Sequence, residues 1–360
     1  MAEQSSGNRT VSPNEAKRAI RKCIKIQRPV FMWGPPGIGK SDIVKQIGAE
    51  QDREVIDVRL SLWEPTDIKG IPYYNSKQNT MEWAPPAELP SDKKSTAILF
   101  LDELNSAAPA TQAAAYQLIL NRRVGTYILP DGVSIVAAGN RDSDKGVTFR
   151  MPAPLANRFL HLELRTDFED WNEWATRNRQ HPQVVGYLNF AKQDLYDFDP
   201  KSISRSFATP RSWSFVSQLL EDDELSENTL TDLVAGAIGE GLAIKFMAHR
   251  KIASQMPNPN DILQGKIKKS DIKEISAMYS LTTSMCYELQ TANQKNAKNW
   301  DEMSDNFFGF MMDNFPVELV VMGSRVALTT FGLPFDTSKL KNFDRFHKNY
   351  GRYVLSSIAA

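Results

Sequence analysis

Cysteine, histidine and any excess of one charge are scarce in this chain of 360 residues. The two cysteines, Cys23 and Cys286, lie far apart and form no Cys-x-x-Cys pair, which excludes a disulfide scaffold and points to a reducing compartment. The four histidines are scattered and make no zinc motif. Basic residues number 43 and acidic residues 43, so the broad positive surface of a general polyanion binder is missing, although a local patch is not excluded. Long apolar runs are absent as well. The most apolar late stretch, Val317 to Leu328, is short and broken by Glu318 and Arg325, so no membrane span is expected. Met1 to Thr10 is polar and carries no leader pattern, and a cytoplasmic setting is the simplest expectation. No internal repeat is evident.

What the chain does contain begins at Val30. A short apolar run, Val30-Phe31-Met32-Trp33, leads straight into Gly34-Pro35-Pro36-Gly37-Ile38-Gly39-Lys40-Ser41, and an amphipathic segment with Ile43, Val44 and Ile47 follows. Strand, glycine loop and helix in that order predict a phosphate-binding loop of the form Gly-x-x-x-x-Gly-Lys-Ser. Triphosphate oxygens need converging N–H donors, and Gly34, Gly37 and Gly39 let the backbone approach them without a Cβ in the way. Lys40 suits the β- and γ-phosphates and the Ser41 hydroxyl suits Mg²⁺, while the helix N-terminus adds its positive dipole end.

Ahead of this loop, Met1–Val11 reads as a flexible tail, and Ser12-Pro13-Asn14-Glu15 opens a capped helix. Its basic side, Lys17, Arg18, Arg21 and Lys22, reads as a solvated face. Downstream, Glu54–Leu60 alternates like a strand. The proline-broken stretch that follows contains a hairpin, Ile71 to Trp83, whose aromatics either pack on the domain, the reading slightly favoured, or grip a partner. Ala97–Leu101 is a continuous apolar strand, buried on both faces as in a parallel sheet, and it ends on Asp102-Glu103. Carboxylates at that end suit Mg²⁺ for Asp102 and activation of the attacking water for Glu103. The strand Val133–Ala138 brings Asn140 to the same edge, where its amide can orient that water. After Pro152 and Pro154, Arg158 precedes a fifth strand, Phe159–Leu164, and is either an ordinary surface cation or a finger for a neighbouring subunit's γ-phosphate. From Asp167 the pattern is helical: 167–179, 182–193, 213–220, 228–249, 272–290 and 300–328, with a Pro/Asn-rich break at 256–260. Arg211 sits in the first turn after Thr209-Pro210, where a cation is electrostatically disfavoured unless an anion such as a phosphate faces it.

In this order the motifs resemble those of AAA+ ATPases, and within them the MoxR-type proteins with a helix-2 insert. Gly34–Ser41 resembles Walker A, Ile98–Glu103 Walker B, Ala138-Gly139-Asn140 sensor 1, Leu155–Phe159 the arginine-finger segment and Thr209-Pro210-Arg211 sensor 2. The resemblance implies an α/β core with a five-stranded parallel sheet in the order 5-1-4-3-2, a helical lid and a helical C-terminal extension. The corresponding divisions are a tail at 1–11, a core at 12–166 with the insert at 65–90 and a pre-sensor-1 hairpin at 122–132, a linker and lid at 167–255, and an extension at 256–360. It further implies ATP with Mg²⁺ as ligands and a ring, expected to be hexameric, in which Arg158 acts across the subunit boundary; two departures from the family pattern, Arg141 directly after Asn140 and Arg150 close to the finger loop, leave open whether either shares that role. The expected partner is a protein with a von Willebrand factor A domain or another protein substrate of chaperone-like remodelling. A nucleic-acid motor would need a basic pore, for which Lys69, Lys77, Arg122 and Arg123 are the few candidates. A third reading is an ATP-dependent scaffold with negligible turnover.

Overall fold

The computed structural model describes residues 9–144, 148–221, 225–253 and 255–358, with side chains described up to Tyr353. The chain forms two compact units, Met1–Asp167 with Asp199–Ser202, and Phe168–Phe198 with Ile203–Ala360. In the first unit the elements run β1 (Thr10–Val11), α1 (Pro13–Lys25), β2 (Val30–Trp33), α2 (Lys40–Glu50), β3 (Val55–Arg59), α3 (Pro65–Lys69), β4 (Ile71–Asn75), β5 (Thr80–Ala84), β6 (Ile98–Asp102), α4 (Pro109–Asn121), β7 (Arg123–Val124), β8 (Tyr127–Ile128), β9 (Ser134–Gly139), α5 (Ala153–Ala156) and β10 (Leu160–Leu164).

Six of these strands form one parallel sheet in the order β1-β10-β2-β9-β6-β3. The five strands expected from the sequence lie in the order 5-1-4-3-2, and a sixth is added at the β10 edge. That sixth strand corrects the reading of Met1–Val11 as a tail. Thr10 and Val11 pair with Glu163 and Leu164, and Arg165 N–H donates to Val11 O at 3.0 Å. Two β-branched residues are too few to show a period, but they suffice to extend an edge. Residues 1–8 of the expected tail lie outside the described residues.

One face of the sheet presents Val30, Met32, Ile98, Phe100, Val136, Ala138 and Leu164 to α1 and α2. The other presents Phe31, Leu99, Leu101, Ile135 and Ala137 to Ala114, Ala115, Leu118 and Ile119 of α4. Burial on both faces is why the strands read as unbroken apolar runs. The α1 entry is the expected capping box: Ser12 N–H donates to Glu15 Oε2 at 2.8 Å, and Glu15 N–H to Ser12 Oγ at 3.4 Å.

The second unit is helical among its described residues: α6 (Phe168–Arg177), α7 (Pro182–Phe190), α8 (Pro210–Leu219), α9 (Glu227–Ile238), α10 (Glu240–Ala253), α11 (Pro259–Leu263), α12 (Ile275–Gln294), α13 (Trp300–Asn314), α14 (Val317–Arg325) and α15 (Lys341–Ile358). The helix expected over 228–249 is two helices, because Gly239 adopts φ +90° between them. The one expected over 300–328 is broken at Pro316, which lacks the N–H needed to continue α13. The helix α15 had no counterpart in the sequence reading. No helix among the described residues is long and apolar enough to cross a membrane.

Candidate functional site

The strand β2 is buried through Met32 and delivers the chain to the loop 34–39 at the C-terminal edge of the sheet. Gly37 and Gly39 have φ of +74° and +95°, conformations that a Cβ would strain. Gly34 N–H donates to Gly139 O at 3.3 Å, tying the loop to β9, and Ile38 is buried in the core beneath it. Pro35 and Pro36 lie between these anchors. Gly39 is the N-cap of α2 and supplies no side-chain acceptor, so the first-turn N–H groups face the loop.

Lys40 Nζ donates to Gly34 O (2.6 Å), Pro35 O (3.0 Å) and Asn140 Oδ1 (3.0 Å). The next residue, Ser41, donates its hydroxyl to Asp102 Oδ2 at 3.0 Å. Asp102 Oδ1 accepts the N–H of Glu103 at 2.9 Å. Asp102 is only 6% exposed. Burial raises its pKa above the usual carboxylate value, opposed by the Ser41 and Glu103 bonds and the Lys40 charge, while nearby Asp57 pushes it up further. The chemistry follows from this set: a cation beside glycine-loop amides suits phosphate, and a hydroxyl beside a buried carboxylate offers hard oxygens suited to Mg²⁺.

Glu103 has left-handed backbone, φ +54°, directly after the last residue of β6, Asp102. Its carboxylate accepts a hydrogen bond from the Ser61 hydroxyl and lies 3.9 Å from Arg59 Nε. Asn105, 1% exposed, donates from Nδ2 to Asn140 O at 2.7 Å. Its Oδ1 sits where a Cβ on Gly139 would come within 2.1 Å, so glycine is required there. Sequence reasoning missed Ser61, Arg59 and Asn105. The available signal for two of them was position: in a parallel sheet the C-terminal ends of neighbouring strands share one edge, and Arg59 is in register with Asp102.

Lys40, Ser41, Asp102, Glu103 and Asn140 are therefore brought together. The arginines are not part of that hydrogen-bonded set. Arg141 is held within its own unit, donating from Nη2 to Leu164 O at 3.2 Å with Nε 3.5 Å from Glu163. Arg150 and Arg158 are exposed, and neither side chain makes a hydrogen bond or ion pair with the described residues. Arg211 lies in the second unit, exposed on the first turn of α8, whose entry is a capping box between Thr209 and Ser212.

The hairpin β4–β5 does not pack its aromatics on the domain. Ile71, Tyr74 and Met81 are 71%, 66% and 64% exposed, and Tyr73 is spent on Glu82 through a 2.7 Å hydrogen bond. Trp83 is the exception: its ring lies over Gly125 between β7 and β8, and Thr126 Oγ1 donates to Trp83 O, so the two hairpins touch.

Residues 29–159 match the family model of the AAA domain, dynein-related subfamily. Midasin of Giardia intestinalis is 30% identical over 173 residues, which is 44% of this chain, and the chain spans 4% of that protein's length. Among solved structures, a RuvB mutant of Thermotoga maritima is 17% identical with a TM-score of 0.40, covering 85% of this chain and 91% of that one. The Thermotoga maritima RuvB Holliday junction branch migration motor is 16% identical with a TM-score of 0.35, covering 82% and 87%.

Proposed function

We propose that this chain, whose residues 29–159 match the AAA-domain model, is an ATPase that works as a ring-forming remodelling machine of the MoxR type. The observation that carries the reading is the convergence of Lys40, Ser41, Asp102 and Asn140 through bonds of 3.0 Å at one edge of the sheet. On this reading Lys40 releases its carbonyl and amide partners to bind the β- and γ-phosphates, which the amides of Gly34 to Ser41 cradle. Ser41 and Asp102 would hold Mg²⁺, which supplies charge neutralisation on the phosphate oxygens. Glu103 takes the proton of the attacking water and Asn140 orients that water.

Arg158 is assigned to the γ-phosphate of the adjacent subunit, and its exposed side chain, uncommitted among the described residues, supports this. Arg150, equally uncommitted, is the competitor, whereas Arg141 is already engaged with Leu164 O and Glu163. Arg211 is assigned to sensing the γ-phosphate bound by its own chain and to moving the lid. The exposed ribbon β4–β5 offers Ile71, Tyr74 and Met81 as the contact for a protein partner, of which one with a von Willebrand factor A domain is the favoured kind. A hexameric ring is the expected assembly. Mixing Arg158→Ala subunits with Lys40→Ala subunits tests the shared site. Each variant alone is inactive, and a mixture regains turnover where an intact Lys40 meets an intact Arg158. No recovery in any proportion rejects the assignment of Arg158 to the neighbouring subunit.

A further inference from the structure

The strand β3 closes one end of the sheet. It pairs with β6 and, among the described residues, with no second strand. Ile98 N–H donates to Glu54 O at 2.8 Å. Because a parallel ladder alternates, the peptide groups of Ile56 and Val58 face β6, and those of Val55 and Asp57 face the open side. Residues 87–92 and Ser95 lie alongside, leaving a groove of about 600 Å³. Its buried lining is apolar, with Val58 and Leu89 at 2% and 3% exposed and the half-buried Ile56 and Trp63 beside them.

Four exposed carboxylates also line the groove, Glu54, Asp57, Glu88 and Asp92, and none is in an ion pair with the described residues. The neighbouring cations do not answer them. Lys93 and Lys94 are exposed but do not line the groove, and Arg53 turns its guanidinium to Thr96 O, Gly132 O and Ser134 Oγ. An open strand edge asks for an extended backbone, an apolar lining accepts alternate side chains, and uncompensated negative charge selects cations. Nucleic acid is disfavoured by the same charge.

We propose that this groove docks an extended, basic segment of a partner protein, which adds to β3 as a further strand and sets Lys or Arg side chains against Glu54, Asp57, Glu88 and Asp92. Every contact lies within the first unit, and docking does not depend on ATP turnover, so it is tested without nucleotide. The probe is a fluorescently labelled peptide of alternating Lys and Val, titrated with the full chain and followed by anisotropy. The controls are an alternating Glu-Val peptide and the Lys-Val peptide N-methylated at every valine or at every lysine.

The Lys-Val peptide binds, and each change weakens it by about tenfold or more: replacing Lys by Glu, N-methylation on the face that meets β3, and the protein double variant Glu88→Lys/Asp92→Lys. These substitutions lie in an exposed segment outside any helix or strand, and Glu240→Lys in the second unit serves as a charge control that leaves binding unchanged. Equal binding of both N-methylated peptides removes strand addition, and equal binding by the double variant removes the carboxylates. If wild-type protein binds no Lys-Val peptide the proposal is overturned, and self-association of the double variant would then show that the carboxylates only guard the edge against a second copy.

Discussion

The Ser61 hydroxyl is hydrogen-bonded to the Glu103 carboxylate, so the group assigned to water activation is held by the turn that follows the neighbouring strand β3. Arg59, 3.9 Å away, holds the other carboxylate oxygen electrostatically. With Ser61 removed, Glu103 has one restraint fewer on its way to the water. Ser61→Ala is expected to raise basal ATP turnover by roughly two- to tenfold, the scale of one hydrogen bond of about 0.5–1.5 kcal/mol. Steady-state phosphate release measures it, and an unchanged or lower rate would show that the bond does not restrain Glu103.

Gly139 is the tightest point behind the site. A Cβ there would lie 2.1 Å from Asn105 Oδ1 and 2.8 Å from the Phe31 ring. Gly139→Ala should therefore cost about 1–3 kcal/mol of stability by overpacking and displace Asn140 from Lys40. Urea unfolding reads the first effect and ATP hydrolysis the second. Asn105→Ala in the same background makes room for the methyl group and should recover part of the stability, while the bond to Asn140 O stays lost.

Much of this architecture could be read from residue order, and the parts that could not have identifiable causes. Apolar runs ending in Gly34, Asp102 and Gly139 announce strands buried on both faces, and glycines at 34, 37 and 39 announce the loop between β2 and α2. Thr10 and Val11 escape because a two-residue strand has no period, and α15 escapes because Lys341 to Arg352 is rich in polar residues. Gly239 and Pro316 break helices whose apolar pattern runs on across them. Ser61 and Asn105 gain their importance from being next to Glu103 and Asn140 across the sheet edge, and that proximity is a property of register and not of spacing along the chain. The exposed faces of Tyr74 and Met81 were ambiguous for a related reason: alternation reports that two faces differ, not what covers either one.

His249 gives the second unit a defined response to acid. It lies among Tyr187 and Phe246, 5% exposed, with Nε2 3.1 Å from Ser280 Oγ. Burial lowers its pKa from 6.5 to about 4, against a weaker opposing effect of the Gln183 backbone. As pH falls below 6.5 the unfolded chain takes up this proton before the folded one. The stability His249 permits is thus complete above pH 6.5, declines from there to about pH 4 and levels off below, a loss of roughly 3 kcal/mol. Urea unfolding at intervals across that window measures the slope. His249→Phe should flatten it by the share belonging to this residue, and an unaltered slope would mean that the ring is protonated in the folded state.

In the proposed mechanism Glu103 activates water beside a phosphate site that forms without it. The most direct test is Glu103→Gln, with ATP binding and phosphate release measured on the same preparation. Binding should stay within about threefold of wild type while hydrolysis falls about a hundredfold or more. Hydrolysis at the wild-type rate, with ATP bound normally, would contradict the central claim.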